Sequence, residues 1–266
     1  MPLVMGVVNI TPDSFSDGGR FLDPAAALRH AEALVADGAD LLDLGAESSR
    51  PGAAPLPLAE EGRRLLPVLR AAVRLGVPVS VDTYKPELMA EAVASGAAML
   101  NDIRAFGAPG AFEVACRAAA GGTVLAMMHM RGDPATMQAG PAYADVVAEV
   151  RAFLGARVAA FRAAGVADDQ LVIDPGFGFG KTVAHNVELL RHLDSLGAIG
   201  VAVLAGLSRK STIGALTGRT QPEGRVFGSV AAALIAAQNG ATILRVHDVA
   251  ATRDALAVWQ AVRTSR

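Results

Sequence analysis

Three residues with hydrogen-bond acceptor groups each end a short aliphatic run in this chain. They are Asp82, Asn101 and Asp174. If folding brings them together, they can bind a flat heterocycle that carries amino and ring N–H donors, because buried polar groups select against ligands that lack the matching donor. Any one of them alone is equally typical of a helix cap. The prediction of a binding site therefore depends on the three acting together, with Lys210 nearby.

Cationic side chains follow two later runs. Lys210 lies in Ser208-Arg209-Lys210, and it is one of only three lysines among the 24 Lys and Arg residues. Arg245 and His247 are two positions apart, so in a strand both point to one side while Val246 points to the other. Two donors held in this way suit a phosphate or pyrophosphate group.

Two polar loops follow the first two aliphatic runs. The first loop, residues 9–19, is long for a connection between a strand and a helix, and long structured loops are often lids or binding loops. The second loop, residues 47–52, presents Ser49 and Arg50 before the rigid turn at Pro51. Arg50 could grip an anion. A solvated turn and a surface salt bridge are the alternatives for these loops.

The segment Asp174 to Thr182 resembles a phosphate-binding loop but fails its spacing. A Walker A motif needs glycine at the position of Pro175, and Lys181 occupies the third glycine position of a dinucleotide-binding pattern. We therefore predict a flexible glycine-rich loop that presents Phe177 and Phe179 to an aromatic ligand.

The sequence has no zinc-type metal motif. HExxH and paired cysteines are absent, and the single cysteine, Cys116, is expected to pack in the core and cannot form an intramolecular disulfide. Binding of a hard cation by the side-chain oxygen of Asn9 and by ligand phosphates is the alternative that is left, since Mg²⁺ often keeps its waters and few protein ligands.

The elements that must position these residues recur in a fixed order. Seven amphipathic stretches each stop at a glycine, and an aliphatic run follows each one (Gly38, Gly76, Gly96, Gly121, Gly165, Gly197 and Gly240). A glycine in this position is typical of a helix end. With the first run, this predicts eight strand-and-helix units, which form a (β/α)8 TIM barrel with its site at the C-terminal ends of the strands. A doubly wound open sheet is the alternative.

Composition narrows the class of protein. The 266 residues are 52% hydrophobic and carry a formal net charge of −2 without a basic stripe, so nucleic acid is excluded as a partner. With no linker, signal peptide or long apolar run, we expect a single domain over residues 1–266 that is cytoplasmic and does not enter a membrane.

These motifs together resemble the dihydropteroate synthase family, the folate-pathway enzymes that sulfonamides target. The resemblance runs along nearly the whole chain in the order of the family. It includes residues 5–19, 45–52, 80–83, 101–103, 128–130, 137–138, 174–181, 208–211 and 245–248.

The resemblance implies a TIM-barrel enzyme, working as a homodimer, that joins 6-hydroxymethyl-7,8-dihydropterin pyrophosphate to 4-aminobenzoate by a dissociative displacement. It also implies that aminobenzoate binds after pyrophosphate has ordered the first two loops. The residues implied for the pterin are Asp82, Asn101, Asp174, Lys210 and Arg245; those for 4-aminobenzoate are Ser49, Arg50, Pro51, Phe179 and Ser211; and those for pyrophosphate are Asn9, Arg245 and His247, with Mg²⁺ on Asn9. The catalytic set is Arg245, His247, Lys210 and Asp82.

Three other functions are alternatives. A pterin-dependent methyltransferase has a related barrel but gives no role to Lys210, Arg245 or His247. An aldolase that forms a Schiff base on Lys210 and a pterin carrier without catalytic activity are the others.

Overall fold

The strands form a closed barrel. The structure is a computed structural model that describes residues 1–11, 24–48, 52–134 and 136–264. All eight strands are parallel, each pairs with the next in sequence, and the last pairs with the first. They are β1 (Leu3–Asn9), β2 (Leu41–Gly45), β3 (Val79–Asp82), β4 (Met99–Asp102), β5 (Val124–Met128), β6 (Leu171–Asp174), β7 (Ala202–Ala205) and β8 (Ile243–Val246). The predicted (β/α)8 barrel is confirmed, and the open-sheet alternative is wrong.

Helices cover the outside of the barrel. They are α1 (Pro24–Ala36), α2 (Leu58–Ala72), α3 (Pro86–Ala94), α4 (Ala111–Ala120), α5 (Val146–Ala163), α6 (Val183–Arg191), α7 (Asp194–Gly197), α8 (Ser211–Thr217), α9 (Val226–Gln238) and α10 (Val249–Thr264). One face of α5 is an apolar stripe that buries Val146, Val150, Leu154, Val158 and Phe161. In the part of the chain that the structure describes, no helix is both long and apolar enough to cross a membrane.

The glycines that precede the strands are left-handed in five of the seven predicted places. Gly121 and Gly197 are the exceptions. Gly121 has a φ of −90° and Gly197 is the last residue of α7, so the left-handed turn comes later, at Gly122 and Gly200. The prediction was wrong there by one and three residues, because the segment continues beyond the first glycine.

The inside of the barrel changes from apolar to polar along the strands. Side chains from seven strands form an apolar layer in the interior (Met5, Leu41, Met99, Ala126, Val172, Leu204 and Ile243). Successive side chains of a strand alternate in direction, so the residue two places further on also faces inward. That residue is Asp43 in β2, Asn101 in β4, Asp174 in β6 and Arg245 in β8. The polar interior thus lies at the C-terminal ends of the strands.

Candidate active site

The barrel register brings three of the predicted residues to one level. Asn9 lies opposite Gly45, Gly45 opposite Asp82, and Asp82 opposite Asn101. Gly45 has no side chain, and a Cβ atom added to it would lie 3.5 Å from the Cβ of Asp82. The strand ends therefore present an amide, a gap, a carboxylate and a second amide around one side of the mouth of the barrel.

Arg245 crosses the barrel to two carboxylates. Its Nε lies 2.6 Å from Oδ2 of Asp43, and its Nη2 lies 3.2 Å from Oδ2 of Asp82. The same oxygen of Asp43 accepts a 3.3 Å hydrogen bond from Nδ2 of Asn101. Asp43 is fully buried. It thus fixes both Arg245 and Asn101 from below the mouth of the barrel.

Asp43 is a site residue that the sequence prediction missed. It lies inside the run Leu41-Leu42-Asp43-Leu44 rather than at its end. The signal was available, because a lone carboxylate in a buried strand needs a charged or hydrogen-bonded partner. Its spacing of two from Leu41 also places it on the inward face.

The two acids at the mouth, half-buried Asp82 and buried Asp174, have raised pKa values. Burial and the charge of Asp43 raise the pKa of Asp82 to about 7, against the opposing effect of Arg245. Burial also raises the pKa of Asp174, while Lys210 acts in the opposite direction. Both carboxylates therefore hold protons more readily than exposed acids do, and a ligand that donates hydrogen bonds to them favours their ionised form.

Lys210 lies between the acids and an aromatic wall. Its Nζ donates a 2.6 Å hydrogen bond to the carbonyl of Phe177 and lies 4.7 Å from the ring centroid of Phe179. Burial lowers the pKa of Lys210 to about 8, although Asp174 favours its charged form. Phe179 packs with Ile103 and neighbouring methionines in a small apolar cluster. A flat ligand at this place would meet an apolar ring and a cation together.

The glycine-rich loop that carries Phe179 is held by hydrogen bonds, contrary to the expectation of a flexible loop. Lys181, only 3% exposed, donates to the carbonyls of Gly176 and Phe179 at 3.0 Å each. Burial lowers the pKa of Lys181 to about 7, with Asp174 opposing. The glycines allow the chain to turn tightly here, but they do not leave the loop unsupported.

His247 follows β8 directly and faces Ser208. The hydroxyl of Ser208 lies 3.1 Å from both the backbone nitrogen and Nδ1 of His247. Burial and the positive charge of Arg245 lower the pKa of His247 to about 3. The imidazole is therefore neutral near pH 7. If Ser208 donates to Nδ1, the ring proton lies on Nε2, which can donate to a ligand.

Of the remaining predicted residues, the structure describes Ser211 and Asn9. Ser211 begins α8, directly after Lys210, and its side chain is exposed. Ser49, Arg50 and Pro51 lie outside the described residues, as do residues 12–19 of the first loop. The described residues contain no group of three His, Cys, Asp or Glu that could hold a metal ion. Asn9 is half-buried at the end of β1, where its amide oxygen is a suitable ligand for a hard cation.

Taken together, the described side chains place acceptors and cations next to one another at the mouth of the barrel. Asp82, Asn101 and Asp174 can accept from the N–H groups of a heterocycle, while Arg245 and His247 can donate to an anion. The interior dielectric strengthens both kinds of contact. The pocket can therefore stabilise negative charge as it develops on a departing anionic group.

Comparison with known proteins gives one family for the whole barrel. A family model described as pterin binding enzyme matches residues 5–247. Dihydropteroate synthase from Neisseria meningitidis serogroup B is 50% identical, over 98% of this chain and 93% of that protein. Among solved structures, Xanthomonas albilineans dihydropteroate synthase with 4-aminobenzoic acid is 55% identical with a TM-score of 0.94, covering 100% of this chain and 94% of that one. The same enzyme in complex with 7,8-dihydropteroate is 52% identical with a TM-score of 0.90, covering 100% and 95%.

Proposed function

The chain belongs to the dihydropteroate synthases, within the pterin binding enzyme family, and we propose from this its reaction and the residues that carry it. It condenses 6-hydroxymethyl-7,8-dihydropterin pyrophosphate with 4-aminobenzoate, giving 7,8-dihydropteroate and pyrophosphate. The complexes of the Xanthomonas albilineans enzyme with 4-aminobenzoic acid and with 7,8-dihydropteroate support these substrates. The observation in this chain that carries the proposal is the set of strand-end acceptors Asp82, Asn101 and Asp174, with Lys210 beside them.

The pterin ring binds between the strand-end acceptors and Lys210. Its amino and ring N–H groups donate to the carboxylates of Asp82 and Asp174, and Asn101 offers both an acceptor and a donor. Lys210, as a donor, serves the carbonyl side of the ring. The guanidinium of Arg245, held by Asp43 and Asp82, offers a flat face on which the ring can stack.

The aminobenzoate pocket is formed by Phe179, Ser211 and the second loop. Phe179 supplies an apolar face, and Ser211 at the start of α8 supplies a hydroxyl group for the carboxylate. Ser49, Arg50 and Pro51 belong to this pocket through the family resemblance alone. We propose that they complete it after the pterin pyrophosphate has bound.

Pyrophosphate is held by Arg245, His247 and Asn9. Two nitrogens of Arg245 donate to carboxylates, which leaves its remaining N–H groups for the leaving group. His247 is neutral and donates through Nε2. We propose that the side-chain oxygen of Asn9 would help to hold a Mg²⁺ ion, which would neutralise charge on the phosphates.

The reaction proceeds by departure of pyrophosphate before the amine bonds fully to carbon. An aromatic amine is a weak nucleophile, so the barrier must fall at the leaving group and at the electrophilic carbon. Arg245 and His247 stabilise charge on the departing oxygen. Asp82 and Asp174, when ionised, favour positive charge on the pterin. No strong general base is required, because the amine becomes acidic once the carbon–nitrogen bond has begun to form, and its proton then passes to water.

One assay tests the proposal. Release of pyrophosphate should require both dihydropterin pyrophosphate and 4-aminobenzoate, and omission of either should abolish it. Failure to form 7,8-dihydropteroate when both substrates are present would contradict the proposed reaction. Borohydride should trap no substrate on Lys210, because its amine is used for hydrogen bonding; a trapped adduct would instead favour the aldolase.

We also propose that the enzyme is a homodimer that acts in the cytoplasm. An exposed apolar face supports the dimer: Phe227 is 88% exposed, and Leu216 and Ile235 border a groove of about 210 Å³ between α6, α8 and α9. Contiguous apolar surface of this kind is typical of a protein interface. The single cysteine, which is free, is consistent with a reducing compartment.

A further inference from the structure

Five consecutive carbonyl groups in the glycine-rich loop accept hydrogen bonds from side chains. Those of Gly176 and Phe179 accept from Lys181, that of Phe177 from Lys210, that of Gly178 from Gln138 at 2.6 Å, and that of Gly180 from Tyr143 at 2.9 Å. Residues 176–180 belong to no helix or strand. The shape of this loop is therefore set by the side chains that surround it.

Lys181 lies at the centre of this arrangement. Besides its two loop carbonyls, its Nζ lies 3.3 Å from the carbonyl oxygen of His129 and 2.9 Å from Nδ1 of the same residue. Burial and the charge of Lys181 keep the pKa of His129 low, so its Nδ1 can accept. The three N–H groups of the charged Lys181 amine are thus shared among four acceptors, three carbonyl oxygens and the Nδ1 atom of His129.

The two backbone segments that Lys181 joins are in close contact. A Cβ atom added to Gly176 would lie 1.9 Å from the carbonyl oxygen of His129, and one added to Gly180 would lie 2.4 Å from that of Arg131. Carbonyl oxygens that converge in this way repel one another and are buried from water. The buried amine of Lys181 donates to the carbonyls of His129 and Phe179, and it adds a second donor to that of Gly176, which also accepts from the Phe179 amide at 3.1 Å.

The loop that Lys181 organises contacts two site residues directly. The amide of Gly176 donates to Oδ1 of Asp174 at 2.7 Å, and the carbonyl of Phe177 accepts from Lys210. The ring of Phe179 lies beneath the amine of Lys210. A shift of this loop would therefore move the aromatic wall of the aminobenzoate pocket most, while Asp82 and Asn101 on other strands would stay in place.

We propose that Lys181 is a positioning residue of the reaction. By binding the carbonyls of Gly176 and Phe179, it sets the place of the Phe179 ring against which 4-aminobenzoate packs. This proposal rests on the proposed function. Lys181 acts through the loop and not by contact with substrate, since it is almost completely buried.

The test compares Lys181→Met with a matched control at the other end of β6. Gln170 donates to the carbonyls of Ala119 and Thr123, so Gln170→Met also removes side-chain bonds to loop carbonyls, but far from the site. Both variants should unfold at a lower temperature than the wild type. Only Lys181→Met should raise the KM for 4-aminobenzoate, by about 10- to 100-fold, because small displacements in an active site have effects of this size. The KM for the pterin substrate should change less.

A second variant keeps the proposal testable if Lys181→Met does not fold. Tyr143→Phe removes only the bond to Gly180, and a smaller rise in the same KM is expected. Hydrogen exchange of the Gly178 and Phe179 amides, which needs no substrate, should be faster in both variants. An unchanged KM for 4-aminobenzoate in a folded variant would overturn the proposal, even if exchange becomes faster. A wild type that releases no pyrophosphate would instead overturn the proposed function.

Discussion

Asp82 is a half-buried acid whose pKa is raised to about 7, within the working range of most enzymes. Since this pKa is above the ordinary value, the folded protein holds the proton of Asp82 more tightly than the unfolded chain does. The resulting stabilisation of the fold is complete at pH values below the ordinary pKa of an aspartate, and it is lost as the pH rises through about 7. Binding has the opposite dependence, because only the ionised form accepts from two pterin N–H groups. Affinity for the pterin substrate should therefore rise with pH up to about 7, by roughly tenfold per unit below it. Titration calorimetry at several pH values measures this.

Asp43→Asn is the matched variant for that pH dependence. It removes the negative charge that helps to raise the pKa of Asp82, and it leaves Arg245 to pair with Asp82 alone. The rise in pterin affinity should therefore move to lower pH. A pH dependence that is the same in both proteins would mean that Asp82 is not the titrating group.

Asp174→Asn should weaken pterin binding while the fold stays intact. The Gly176 amide already donates to one oxygen of Asp174, so an asparagine would keep its oxygen there and turn its NH₂ group towards the ligand donors. Loss of a hydrogen bond to a charged group costs roughly 1.5–3 kcal/mol, or about 10- to 150-fold in affinity. Calorimetry that gives an unchanged affinity would remove Asp174 from the site.

The sequence indicated the residues at strand ends better than those inside strands. Asp82, Asn101 and Asp174 end aliphatic runs, and parallel strands buried on both faces make polar residues conspicuous only at their ends. Asp43 was missed because its role depends on Arg245, which is 202 positions away. Lys181 was noted in the sequence, but its partners are backbone carbonyls, and no spacing of residue types encodes those.

At the scale of elements, the loop after β6 is the one whose backbone has least freedom to change. Gly176 has a φ of +67°, and a Cβ atom there would overlap the carbonyl oxygen of His129. Gly165 also has a positive φ, +86°, but nothing lies within 4 Å of its added Cβ. Substitution of Gly165 by alanine tests backbone strain alone, whereas the same substitution at Gly176 tests backbone strain together with steric overlap.

Gly176→Ala should therefore destabilise the fold more than Gly165→Ala. The second substitution adds only left-handed strain, about 1–2 kcal/mol, whereas the first adds overlap as well and should total about 3 kcal/mol or more. Urea denaturation of both variants gives the comparison. Equal losses of stability would show that the loop can move away from His129 and that it is not fixed as described.

The boundaries of elements were harder to predict than their order. The hydrophobic segment that begins at Val201 continues to Leu207, but the strand ends at Ala205. Leu207 and Ser208 remain buried in the loop that follows, because they pack beneath α8 and beside His247. Burial in a loop leaves the same hydrophobic pattern as burial in a strand, so hydropathy alone does not separate the two.

At the scale of the whole molecule, closure of the barrel is what assembles the site. The pairing of β8 with β1 brings the last strand of the chain next to the first, and Arg245 can then reach Asp43 and Asp82 across the interior. Residue types and their order gave the eight units. The height of each side chain along the barrel axis depends on the stagger between neighbouring strands, and this stagger cannot be read from the residue types.

The proposed dimer gives a prediction for the outer surface. Phe227 at the start of α9 is 88% exposed, and burying a phenylalanine at an interface contributes about 1.5–3 kcal/mol. Phe227→Asp would lose that contribution and add the penalty of burying a charge, so dimer affinity should fall by more than about 100-fold. Val262→Asp is the matched control, because Val262 is 73% exposed on α10, away from the groove.

Sedimentation velocity should find Phe227→Asp as a monomer at concentrations where the wild type and Val262→Asp are dimers. The monomer should still release pyrophosphate, because a single chain already supplies the ion pair of Arg245 with Asp43 and Asp82 at the strand ends. A wild type that sediments as a monomer would contradict the dimer. A monomeric Phe227→Asp that has lost activity while keeping its thermal stability would show instead that the second copy supports the site, and that closure of one barrel is not sufficient for the reaction.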